Sequence, residues 1–183
     1  MVKARGGRVV LETPMPLRRL FETLAGVDHL IASDDPPPSF DCHAPLLDLP
    51  RLFGTNLDTI PHTESYLSAD PDRTREWAQR FGPWEDFRVG IAWAGNPVHR
   101  NDRNRSLDPA LLRPLTEMPG VSLFSLQVGA DEGARQRIGG DLTDTASLLN
   151  DFAETAAVMA NLDLVIGVDT SVVHVAGALG RPV

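Results

Sequence analysis

The segment LDLVIGVDTSVVHVAGALGRPV, Leu162–Val183, decides the fold. An unbroken apolar run ends at Asp169, a polar pair follows, and apolar residues then recur at helical spacing up to Gly180. Such a run, bounded by a turn and followed by a helix, reads as a strand covered on both faces, the repeating piece of a parallel α/β sheet. Thr170 or Ser171 stands where a side-chain oxygen caps a helix, and Gly180 stands where a helix stops. The residues Arg181–Val183 read as the start of a further strand.

The same rhythm extends toward the N-terminus. FRVGIAWAG (Phe87–Gly95) reads as a strand ending in a glycine turn, DPALLRPLTEMPG (Asp108–Gly120) as a helix, and VSLFSLQVG (Val121–Gly129) as a strand. The stretch Thr143–Asp163 holds two short helical patterns. At the far end, Arg8–Glu12 and His29–Ser33 read as strands on either side of a helix over Pro14–Gly26, in which Leu17, Leu20, Phe21 and Leu24 share a face. Prolines interrupt the middle, where a loop and a few short elements are expected before a helix over Asp70–Gly82 with Trp77 and Phe81 four apart. The expected class is therefore α/β, with two Rossmann-like parallel-sheet units: residues 1–65, a connecting segment 66–84, and residues 85–183.

Composition bounds the partners. A chain of 183 residues, 42% apolar, can bury one full core or two partial ones. Its formal charge of -8 argues against a general affinity for nucleic acid or anionic membrane, which rests on clustered Lys and Arg. No apolar run reaches the roughly 18 residues of a membrane span, and MVKARGGRVVLE lacks the apolar core of a secretory signal, so a cytoplasmic location is expected. The one cysteine, Cys42, has no cysteine to pair with and no neighbour that completes a metal-ligand spacing; a small buried apolar role is expected for it. Neither a Gly-rich dinucleotide fingerprint after a strand nor a P-loop occurs.

Ligands of open parallel sheets collect at the carboxyl ends of the strands. Two turns there are unusually polar. In GVDTSVVH, Asp169, Thr170 and Ser171 open a helix whose positive end attracts a diphosphate, with His174 three residues after Ser171. Taken alone, this segment reads first as an ordinary capped helix with His174 packed on its flank. In WAGNPVHRNDRNRS, Gly95 and Asn96 lead into His99, Arg100, Arg103 and Arg105, the densest positive stretch of an acidic chain, suited to forked contacts with phosphate oxygens or to a solvated loop. Gln127, at the end of a strand, can bond a base or sugar edge or end the strand toward water. GDLTD (Gly140–Asp144) carries two carboxylates in an acidic turn, and Cys42–His43, His29 and His62 form no pattern with a base or a further ligand.

Taken in order, FDCHAPLLDLPRLFGTNLDTIP, VGIAWAGNPVHRNDRNRS, FSLQ, GDLTD and TAAVMANLDLVIGVDTSVVHVAGALGRPV resemble the glycosyltransferase-like region of bacterial tetratricopeptide-repeat proteins. That region is similar to the ADP-heptose transferases (glycosyltransferase family 9) and, more distantly, to the O-linked N-acetylglucosamine transferases. The resemblance implies a GT-B-like architecture, with an acceptor-side unit at 1–65 and a donor-binding unit at 85–183. It implies transfer of a sugar from a nucleotide-diphosphate sugar to an acceptor hydroxyl on a glycan, a lipid-linked sugar or a protein. The donor site it implies comprises Gly95, Asn96, Arg103, Arg105, Gln127, Asp169, Thr170, Ser171 and His174. No metal and no cofactor beyond the donor are expected, since Arg, His and helix N–H groups can neutralise a leaving diphosphate. The family's first strand with its glycine loop, the strands after GRPV and the repeats have no counterpart, so both units are expected to be incomplete, no catalytic base is assigned, and uncovered sheet edges favour self-association. The alternative is a binding module or degenerate relic that recognises a nucleotide diphosphate or a partner without transfer.

Overall fold

The computed structural model of the chain describes residues 1–83, 85–130 and 132–183. Two parallel sheets form. The first pairs β1 (Val10–Thr13) with β2 (His29–Ala32) in register from Val10 opposite His29, with α1 (Met15–Phe21) between them in sequence. The second has four strands in the order β5-β4-β3-β6, from β3 (Phe87–Ala92), β4 (Val121–Ser125), β5 (Leu142–Asp144) and β6 (Leu164–Gly167), every pair parallel. The helices are α2 (Leu49–Leu52), α3 (Pro71–Phe81), α4 (Arg113–Thr116), α5 (Glu132–Ile138), α6 (Phe152–Met159) and α7 (Ser171–Ala178). The chain is thus α/β with parallel sheets, as the apolar runs predict.

Alternation along the strands builds two cores. Val89, Ile91 and Leu123 point to one face, where Ile138 and Ala134 of α5 and Leu112 cover them. Ala92, Phe124, Leu126 and Val165 point to the other, against α3, α6 and α7. Phe124 is fully buried, and burying a ring of that size contributes about 1.5–3 kcal/mol. The central helix is α6, buried from Ala153 to Met159 and packed against α1, α3 and α7. Its alanines at 156 and 157 leave room for neighbours on several sides, as suits a helix buried nearly all round. Just beyond α6, Leu162 presses on β3: a Cβ on Gly90 would lie 2.5 Å from Leu162 Cδ1 and 2.7 Å from Leu126 Cδ1. Leu20 of α1 enters the same core, so the first sheet leans on the second through α1 and α6.

Several elements differ from expectation for local reasons. Helix α1 stops at Phe21, because Thr23 turns both its amide and its hydroxyl onto the Leu20 carbonyl, at 3.2 and 2.8 Å, and tightens the turn. The segment Asp108–Gly120 splits into a 3₁₀ turn, Pro109–Leu112, and the single turn α4, with Pro114 among its first residues. Helix α5 and strand β5 carry no clear period in RQRIGGDLTD; α5 buries Ala134 and Ile138, and β5 is a three-residue edge. Cys42 is exposed, in a proline-flanked loop with no core beneath it, and not buried as a small apolar residue. Arg181–Val183 do lie beside β6, with Val165 N donating to Pro182 O at 2.9 Å. Trp84, the last residue of the expected connecting segment, lies outside the described residues. Among the described residues no helix is long and apolar enough to cross a membrane.

Candidate functional site

A cleft of about 780 Å³ opens at the carboxyl ends of β3 and β4. The loop after β3, the end of β4, Ala134 and Arg137 of α5, the first turn of α7, the first turn of α6 and Pro16 of α1 wall it. Its size is within the range of small-molecule sites. The loop Ala94–Ser106 is closed at its base by Leu107 N donating to Trp93 O at 2.8 Å. Inside the loop, Gly95 N donates to Ser106 Oγ (3.0 Å), and Ser106 Oγ donates to Asp102 Oδ2 (2.9 Å). Arg105 Nε donates to Asp102 Oδ1 (3.1 Å), while Arg105 Nη1 reaches the Asp169 carbonyl (3.1 Å) and so ties the β3 loop to the turn before α7.

The expected residues divide on their geometry. Gly95, Asn96, Arg105, Gln127, Thr170 and Ser171 line the cleft together. Gly95 makes room for protein rather than leaving open backbone: a Cβ there would lie 2.6 Å from Arg105 Nη2, and closer still to Asp102 Oδ1. Gln127 turns its Oε1 to the backbone, accepting from Trp93 N at 3.0 Å and Ala94 N at 2.8 Å, which locks the end of β3 to the end of β4. Thr170 occupies the N-cap position of α7 in extended conformation, yet neither it nor Ser171 supplies a side-chain cap bond. The Thr170 hydroxyl is buried and has no hydrogen-bond partner among the described residues. Asp169 and His174 face each other at 3.4 Å on the exposed side of the turn, outside the cleft wall, and Arg103 is exposed away from it. Helix α7 therefore presents to the cleft an N-terminal turn whose amides are not claimed by its own cap, beside Arg105. That arrangement can hold an anion.

Residues not anticipated complete the far wall. Asp151 caps α6 by accepting from Glu154 N (2.9 Å) and pairs with Arg19 of α1 (2.9 Å). Glu154, 3% exposed, accepts from Arg73 Nε (2.8 Å) and Trp77 Nε1 (3.0 Å), with Arg73 Nη2 at 2.6 Å and Arg19 at 3.6 Å. The hydrogen bond that Arg73 donates to Glu154, and then the charge of Glu154, hold the Arg73 guanidinium above its ordinary value. The signal for this wall lay in NDFAE, whose Asp-x-x-Glu spacing is that of a capping box; here the glutamate turns away to α3 instead of back to the cap. Asp102 was legible only as part of a charged loop. Among the described residues no group of three or more His, Cys, Asp or Glu side chains converges to hold a metal ion.

Residues 121–183, which carry β4, the α6 wall, β6 and α7, match the model of glycosyltransferase family 9 (heptosyltransferase). The chain is also similar to Protein FlbA of Caulobacter vibrioides, at 31% identity over 155 residues, covering 79% of this chain and 25% of FlbA. The chain thus spans about a quarter of that relative's length. No solved structure matches it significantly.

Proposed function

We propose, from the family 9 match and the cleft it adjoins, that residues 85–183 hold the nucleotide-sugar donor of a glycosyltransferase acting on an acceptor hydroxyl. The observation that carries the reading is the convergence on one cleft wall of the α7 N-terminus, Arg105 and the orphaned Thr170 hydroxyl. A diphosphate satisfies all three: its oxygens accept from the α7 amides and from Thr170, and its charge meets the guanidinium. In a partly enclosed site such fixed donors stabilise the charge that builds on a leaving diphosphate, so no metal or further cofactor is needed. Arg103, Asp169 and His174 belong to the rim in this reading, where they reach the donor only if the rim folds inward. The acceptor then approaches from the side of α1, whose Pro16 borders the cleft.

A second reading has its own support. The two carboxylates on the cleft wall are both engaged, Asp102 by Arg105 and Ser106, and Asp151 by Arg19 and the α6 amide. Neither is free to take a proton from an acceptor hydroxyl, which favours nucleotide binding without transfer by these residues alone.

Thermal unfolding of the purified chain with UDP, ADP and GDP and their sugars tests the donor site. A ligand of the folded form raises stability by about 2.7 kcal/mol at a hundredfold excess over its Kd. A shift with one nucleotide supports the site and names the base; no shift with any of them removes the donor reading. Release of nucleoside diphosphate from the sugar nucleotide that binds, with and without acceptor glycans, then separates transfer from binding.

A further inference from the structure

We propose that Asp102 is a positioning residue for the anion site: it aims Arg105 at the ligand. The inference rests on the donor reading above and goes beyond it, since Asp102 has no role there. Arg105 has five N–H groups in a rigid fork. Asp102 Oδ1 takes Nε and the Asp169 carbonyl takes Nη1, so the guanidinium is held at two corners, one on each of the two loops that wall the cleft. The third corner, Nη2, lies over Gly95 and makes no hydrogen bond among the described residues. Its two N–H groups, with the second on Nη1, are the donors left for a ligand. The other oxygen of Asp102 is bound by Ser106 Oγ, which accepts in turn from Gly95 N, so the same carboxylate also fixes the backbone on which Nη2 rests. Three residues of one short loop thereby order a side chain that is otherwise among the most mobile of all types.

A carboxylate this close to an anion site also opposes the ligand by simple repulsion, and both Asp102 and Arg105 are largely sheltered from solvent, at 16% and 24% exposure, so screening is weak. Repulsion and positioning predict opposite signs. If Asp102 contributed only its charge, removing it would tighten binding. If it positions Arg105, removing it weakens binding, because the freed arginine must be ordered again each time a ligand arrives.

The test measures the dissociation constants of UDP, ADP and GDP by calorimetry for the wild-type chain, Asp102→Asn, Asp102→Ala, Arg105→Ala and the Asp102→Ala/Arg105→Ala pair, with the unfolding temperature of each. Asp102→Ala is expected to weaken the nucleotide that binds by about tenfold, the scale of re-ordering one long side chain. Asp102→Asn, which keeps an oxygen for Nε, is expected to recover part of that loss. In the Arg105→Ala background, Asp102→Ala is expected to cause no further weakening, because there is no arginine left to aim. Unchanged or tighter binding by Asp102→Ala overturns the proposal while the donor reading stands. Losses that simply add in the double variant overturn it too, since they mark a carboxylate that only holds the loop together. A wild-type chain that binds none of the three nucleotides overturns the donor reading, and the proposal with it. The isosteric Asp102→Asn keeps the test valid if Asp102→Ala does not fold.

Discussion

Glu154 ties α6 to α3 and α1. It sits on the buried helix α6, where a charge is costly, and it is tolerated because Arg73, Trp77 and Arg19 surround it from α3 and α1. Glu154→Ala removes the acceptor from Arg73 and Trp77 and the longer ion pair from Arg19, and leaves the buried Trp77 indole N–H unpaired. Since Arg73 and Arg19 are 38% and 48% exposed and recover water, the expected cost is about 2–3 kcal/mol rather than that of stranding a fully buried cation; urea unfolding measures it. At this scale the sequence was read only in part. Thr170, Ser171 and Arg105 stand out by type and by position after a strand, and they do reach the cleft. Gly95 and Gln127 reach it as well, but as packing space for Arg105 and as a clamp on β3, two roles that depend on neighbours 10 and 34 positions away.

At the scale of elements, α3 shows how a helix start is tied to pH. Asp70 caps it, accepting from Asp72 N at 2.8 Å and Arg73 N at 3.0 Å. The bond from the Arg73 amide, then that from Asp72, holds the Asp70 carboxyl below its ordinary value of 3.8. In the first sheet Lys3, and next the Val9 amide, lower Asp28 in the same way. Both groups bind protons less readily folded than unfolded. Their stabilisation is complete above the ordinary carboxylate value and is lost as pH falls through the lowered one. The unfolding temperature is therefore expected to drop as pH goes from neutral to about 2.5, and Asp70→Asn, which caps without titrating, to drop less steeply over that acid range. Elements with strong local signals, such as the Asp-Pro start of α3 or the apolar runs of β3, β4 and β6, were legible in advance. The polar α5, the short β5 and the broken Asp108–Gly120 helix were not, because each owes its existence to a sheet face or edge already in place.

At the scale of the whole molecule, the two sheets meet where Arg19 of α1 pairs with Asp151 and Glu154 of α6, beside Leu20 in the shared core. Arg19 is half exposed, so its ion pairs contribute at most about 1 kcal/mol to global stability. Their effect is expected to be local: in Arg19→Ala, amide hydrogen exchange should quicken across residues 10–32 while β3 and β4 keep their protection, and equal acceleration everywhere would mean that the two sheets open together. The class of the fold was settled by the sequence alone, because apolar runs and helical periods are properties of neighbouring residues and survive without a partner. Where Arg105 points, what fills the space at Gly95, and which carboxylates wall the cleft were decided only by tertiary structure. Arg105 and the Asp169 carbonyl lie 64 positions apart, and Arg19 and Asp151 lie 132 apart. Hydrogen bonds between such residues leave no period in the chain and exist only once the sheets have brought their loops together.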